Sequence, residues 1–412
     1  MKNISRFFTL YWIVYFPTCI AYNDLPGFSS VDEAMTLLLL LYTFMMYGSK
    51  FINKKPWKEF MVCLGLIAFY TVYSLFFGAN VSGGVWLDLM QEIRPYSIIF
   101  CTWILNPQFT RKQKKWMLIT MVATLFSWIM YHPQALDSQV EAEFPVLGQL
   151  AICTGMSYYL FTKDTKMNRL IALGLVLTGM LAPKFKFMGE VVCFIAFIFF
   201  LKHRLNFKSP KTMIYCALVM FVVLIVTWSK FDVYYVSGLD NEYLARPMTY
   251  KTSVKILWDY LPFGSGMGSF ACNGAWKYYS PLYFTYNLDG IWGLSPDTGY
   301  FICDAYYPTL AQFGIVGVFF FCWFWKRRLA AIDIIADMRY YRVAMITFCC
   351  LAIEQTADSS WLSGKGMGYC MLIALCLNAN RNQMMDMKRQ QILKRKKEML
   401  LEEKRKQMES NS

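Results

Sequence analysis

The feature that most constrains this chain is a succession of apolar runs, each close in length to what crosses a lipid bilayer. Residues 34–47, 60–77, 116–131 and 211–228 are four of them. A helix needs about 20 apolar residues to cross a hydrocarbon core about 30 Å thick. In lipid the backbone polar groups must be satisfied within the protein, which leaves helices and closed barrels. Barrel strands alternate in polarity over roughly 10 residues, and these runs do not alternate. Only 17% of the 412 residues are charged, against roughly 25% in soluble domains. The expected fold class is therefore all-α, a polytopic helical membrane protein with about twelve transmembrane helices. They are expected near 7–22, 34–47, 60–77, 88–105, 116–131 and 145–162, then near 170–183, 187–201, 211–229, 303–325, 340–358 and 366–380. The run 7–22 lacks a small-residue cleavage site and reads as a retained first helix rather than a signal peptide.

Charge sets the orientation. With the N-terminus in the cytoplasm, the inner segments hold 32 of the 41 Lys and Arg residues, while 18 of the 27 carboxylates fall on the other side. This is the positive-inside bias, and it places both termini in the cytoplasm. The net charge of +14 is then an orientation signal, and nucleic acid is not an expected partner. Residues 1–380 form one transmembrane domain, 381–412 a basic cytoplasmic tail, and 387–407 in that tail a charged helix at the inner surface, attracted to anionic headgroups of membrane lipids. The largest element outside the membrane is an outer loop at 230–302, between helices 9 and 10. A loop of that length is functional or has structure of its own. Most of the 13 cysteines lie inside apolar runs as small apolar residues, and a bridge between Cys272 and Cys303 is not expected. With two histidines and no CxxC pair, neither a metal site nor a cofactor is expected.

Nine basic residues break the inside rule: Arg94, Lys184, Lys186, Lys230, Arg246, Lys251, Lys255, Lys277 and Lys365. An ionisable group within a spanning segment costs roughly 2.5–3.5 kcal/mol on insertion scales. One reading is snorkelling, or pairing with Glu92, Glu190 or Glu354; as a set, the nine are better explained by an outward-opening site for an anionic, lipid-linked substrate. Carboxylates gather at the same level (Glu190, Asp304, Glu354, Asp358). Asp304 opens the tenth helix, where an Asp is either a cap or an acid–base group. In the loop, residues 249–260 have helical spacing with Val254, Leu257, Trp258 and Leu261 on one face, and the glycine run GSGMG follows as a tight turn that lets backbones approach closely.

Three stretches resemble the bacterial O-antigen polymerases and O-antigen ligases. They are Arg246 followed by WDYLPFGSGMGSF, the segment DAYYPTLAQFGIVG from Asp304 to Gly317, and APKFKFMGE after the seventh helix. The resemblance implies a glycosyltransferase of the bacterial cytoplasmic membrane that needs no metal. Its partner would be a polyprenyl-pyrophosphate-linked oligosaccharide, with a chain-length regulator as a further partner. Ligases of this family place a His-Asn pair where this chain has Cys303 and Asp304, which favours a polymerase of O-antigen, capsule or exopolysaccharide. A ligase transferring the glycan to lipid A core or another acceptor is the alternative within the class. A flippase of lipid-linked sugars is the alternative outside it, but would show repeats and midplane charges. In the polymerase reading Arg246 grips the pyrophosphate, with Lys184, Lys186 and Arg94 completing the cradle, and Asp304 is the general base. Trp258, Trp276 and Trp292 stack on sugar rings or form the loop's own core. Pairing with Asp240 or Glu242 is the structural alternative for Arg246.

Overall fold

The computed structural model describes residues 2–24, 30–50, 52–131, 145–181, 184–206, 208–388 and 390–392. Among the described residues there are helices, turns and connections, and no strand. The predicted apolar segments fall mainly on helices, beginning with α1 (Lys2–Asp24), α2 (Val31–Met45), α3 (Trp57–Phe77), α4 (Ser82–Leu105), α5 (Arg111–Tyr131) and α6 (Pro145–Phe161). The series continues with α7 (Lys166–Leu177), α8 (Phe185–Ile195) and α9 (Pro210–Tyr235). The long loop contributes α10 (Ala245–Asp259) and the short α11 (Asn273–Lys277) and α12 (Leu282–Thr285). A 3-10 turn at Tyr307–Phe313 leads into α13 (Gly314–Asp333), and α14 (Met338–Ala357) and α15 (Met367–Leu377) follow. Most of the tail helix predicted at 387–407 lies outside the described residues.

At the centre stands α15, buried along its whole length and packed against α4, α6 and α14. Between helices in lipid, dispersion packing replaces release from water as the driving force, so close approach matters. Gly368 permits it: a Cβ there would stand 3.0 Å from the Cys153 sulfur of α6. Its N–H donates to the Tyr15 hydroxyl at 2.8 Å, tying α1 to the same point.

The outermost helix inverts this pattern. α9 has no buried residue, and Met213, Leu218, Phe221, Ile225 and Trp228 are all exposed. In water such a helix would leave a large apolar surface unshielded; in lipid it is an ordinary outward face. Among the described residues, three helical stretches are long and apolar enough to cross a membrane: Trp57–Phe77, Pro210–Tyr235 and Tyr307–Asp333. α9 runs six residues further than the predicted 211–229, which carries Tyr234 and Tyr235 to the loop.

The loop has its own small core around Phe270, Tyr283, Leu288 and Ile302. α10 departs from the expected facing. Trp258, Val254 and Leu261 are exposed, while Thr249, Thr252 and Ile256 form the buried side. The reason is the neighbour: α10 lies on the narrow 3-10 turn Tyr307–Phe313, which accepts small side chains, and the Thr249 hydroxyl satisfies itself on the Ala245 carbonyl at 2.9 Å.

Candidate active site

The glycine run clips the loop to the helices. Gly264, Gly266 and Gly268 all have positive φ, a region L side chains rarely adopt. A Cβ on Gly264 would stand 2.3 Å from the Gly314 nitrogen, and one on Gly268 2.5 Å from the Gly84 carbonyl carbon. The Gly266 N–H donates to the Gln312 carbonyl at 2.9 Å, and the Gly268 N–H to the buried Asp88 carboxylate at 3.0 Å. Gln312 also donates its side-chain amide to Asp88, at 2.7 Å. The two glycine motifs therefore dock on each other, and that sets the position of the segment just before α13.

In that segment lies Asp304, and against it Arg246. Arg246 sits in the first turn of α10, where backbone N–H groups lack intrahelical acceptors and an anion is favoured. Its Nε and Nη2 both donate to Asp304 Oδ2, Nε at 2.7 Å. The guanidinium carbon lies 4.2 Å from the Tyr234 ring centroid, a cation–π contact that the overlong α9 supplies. Three tyrosines hold the frame. The Tyr235 and Tyr250 hydroxyls donate to the Thr356 carbonyl at 2.6 and 2.9 Å, and Tyr307 donates to the Ala352 carbonyl at 3.1 Å. The expected helix N-cap at Asp304 is not found: the 3-10 turn begins at Tyr307 with Tyr306 before it, so the Asp304 carboxylate serves Arg246 instead. The ion-pair partner of Arg246 is Asp304 and not Glu242; the side chain of Asp240 lies outside the described residues.

Burial pushes the Asp304 carboxyl above the ordinary range, opposed by the Arg246 charge and its hydrogen bonds. For Arg246, burial acts downward, but the Asp304 carboxylate outweighs it and the guanidinium is raised. Lys184, half-buried at the start of α8, is lowered by burial and then by the neighbouring Lys186 charge, with Asp304 and Asp358 acting the other way. Lys186 bridges Glu354 at 2.7 Å and Asp358 at 2.6 Å, and Lys365 reaches the same Asp358 oxygen at 3.3 Å. Arg246, Lys184, Lys186 and Lys365 thus share one neighbourhood with Asp304 and Asp358.

Arg94, expected in that cradle, is not brought to it. It is 1% exposed and pairs with Asp32 at 2.8 Å and Glu33 at 2.5 Å, with a further bond to the Leu362 carbonyl. The signal was present in the sequence, because Asp32 and Glu33 open the second helix at the depth of Arg94 in the fourth. Trp258 and Trp292 are each 65% exposed and Trp276 43%, so none of the three belongs to the loop core. Tyr234 and Lys365 complete the neighbourhood. Lys365 could be drawn from its place among the nine exceptional cations, and Tyr234 only from knowing how far α9 extends. Neither the protein-family models nor the curated proteins searched include a match to this chain.

Proposed function

We propose that the protein is a membrane glycan polymerase, with about twelve spanning helices and its loop on the outer face of a bacterial cytoplasmic membrane. Its substrates in this reading are polyprenyl-pyrophosphate-linked oligosaccharide repeat units. The observation that carries the reading is the ion pair of Arg246 with Asp304, which joins the polar residues of two separate motifs at one point beside Lys184. In the reaction, a hydroxyl of one repeat unit attacks the anomeric carbon of another; the C–O bond to the pyrophosphate breaks and the lipid pyrophosphate leaves. Charge develops on the leaving group, and preorganised cations at that place lower the barrier. An Arg fork matches two phosphate oxygens. In the resting pair Asp304 occupies that fork. A pyrophosphate that takes Arg246 releases Asp304, whose burial then makes it a stronger base, so donor binding and base activation coincide. Asp304 would take the hydroxyl proton. The exposed Trp258, Trp276 and Trp292 offer faces for sugar rings.

The test uses the purified full-length protein with lipid-linked repeat units. A ladder of products is the expected result. A single transfer to an added acceptor points to a ligase, and unchanged substrate moved across a vesicle membrane points to a flippase; either overturns the polymerase reading.

A further inference from the structure

A line of polar side chains runs inward from the loop end of the bundle, and its burial deepens step by step. Side-chain exposure falls from 16% at Lys365 to 12% at Asp358, 9% at Lys186 and 2% at Glu354. The line ends at Glu190, which is 0% exposed. Successive members touch: Lys365 to Asp358, Asp358 to Lys186, Lys186 to Glu354, and Glu354 to Glu190 carboxyl against carboxyl. Tyr369 of α15 donates to Glu190 Oε2 at 3.1 Å. Ser360 donates to Glu354 Oε2 at 2.9 Å and accepts from the Gln149 amide of α6 at 2.6 Å.

Two acceptors of this network, Glu190 Oε1 and Gln149 Oε1, are buried and have no hydrogen-bond partner among the described residues. Charge is also out of balance. Along the line of direct contacts three carboxylates face two lysines, with Lys184 nearby but forming no ion pair in it, and an uncompensated buried charge is costly. Two ionised carboxylates in contact repel and share no hydrogen. One added proton answers the carboxyl contact, the excess negative charge of the line and the unpartnered Glu190 oxygen together: it turns the contact into a hydrogen bond and removes the uncompensated charge.

We propose that Glu190 and Glu354 form a proton-binding site that holds one proton between them and exchanges it with the loop-side water along Lys186, Asp358 and Lys365. Among the described residues, the other titratable groups facing the pair are Tyr369 on α15, Cys153 on α6 and Cys350 on α14; none is basic, so the cation touching the pair there is Lys186. Loss of the proton places a negative charge beside Lys186, and gain removes it. The field at the neighbouring Lys184 and Lys365 therefore follows the occupancy of this site. The inference does not depend on what the protein transfers.

Infrared difference spectroscopy on the full-length protein in lipid nanodiscs tests it without substrate, because a carboxylic acid and a carboxylate absorb at separate frequencies. In Glu190→Gln the new amide donates to Glu354 in the proton's place, and in Glu354→Gln it donates to Glu190. Each variant is therefore expected to lose one carboxylic-acid band, the same band in both, and in the wild type that band should disappear as pH rises. Circular dichroism verifies that each variant is folded, and the wild-type titration stands even if one is not. A carboxylic-acid region unchanged by both substitutions overturns the proposal, as does loss of different bands in the two variants.

Discussion

Arg246 and Asp304 stand 58 positions apart in the chain and meet at one carboxylate oxygen. A pair of this kind admits a structural role and a chemical one, and substitutions separate them. Asp304→Asn keeps the size and can still accept from Arg246, so the protein should remain abundant while polymer formation falls roughly 10²–10⁴-fold, measured with lipid-linked substrate. In the proposed mechanism Asp304 is a base only when ionised, and burial raises it, so wild-type activity should drop as pH falls through a point above the ordinary carboxylate range. That acid limb should vanish in Asp304→Asn. Near-normal polymer from this variant would transfer the role to another carboxylate. Arg246→Lys should lose most activity, since an ammonium lacks the fork. The exchange Arg246→Asp with Asp304→Arg should restore abundance but not activity; a fully active exchange would make the pair merely structural. At this scale the sequence was legible where charge sat in the wrong place. It was silent on partners, because pairing depends on which helix ends meet.

Among elements, the glycine run shows what a short motif can and cannot declare. GSGMG reads as a tight turn from composition alone, and it is one. Its function as a clip arises from Gly84, Gln312 and Gly314, which lie in other segments and give no sign of it locally. Gly268→Ala forces a Cβ into the Gly84 backbone at positive φ and should cost about 1–3 kcal/mol, seen as a lower thermal unfolding midpoint. Gly290→Ala, with nothing within 4 Å, should leave that midpoint unchanged. Equal effects from both substitutions would remove the clip from the account. The facing of α10 was misread for a related reason. Apolar spacing marks a core face only when the neighbour is water, and a helix near lipid or a sugar-binding surface turns bulky residues outward. Similarly, α13 was expected to open at Asp304, but the clip at Gly314 holds the preceding residues in a 3-10 turn.

For the molecule as a whole, the apolar runs declared the helical class and the position of nearly every helix, because length and hydrophobicity are local properties. Which helix lies at the centre is not local: α9 and α15 are both apolar, and only packing distinguishes the exposed one from the buried one. Orientation is open to a direct check. In a cysteine-free background, a membrane-impermeant thiol reagent applied from outside should label Lys255→Cys, on the exposed face of α10, and spare Lys202→Cys. The reverse pattern would turn the molecule over and move the candidate site to the cytoplasm. The central place of α15 also bears on biogenesis. Chains are made from the N-terminus, so in the membrane reading the spanning helices that precede α15 would enter the bilayer before the helix that fills their middle has left the ribosome. Until then Glu190 lacks its Tyr369 donor and Tyr15 lacks Gly368, leaving a polar slot inside the membrane. In that reading the nascent bundle would need shielding there until α15 arrives to close it.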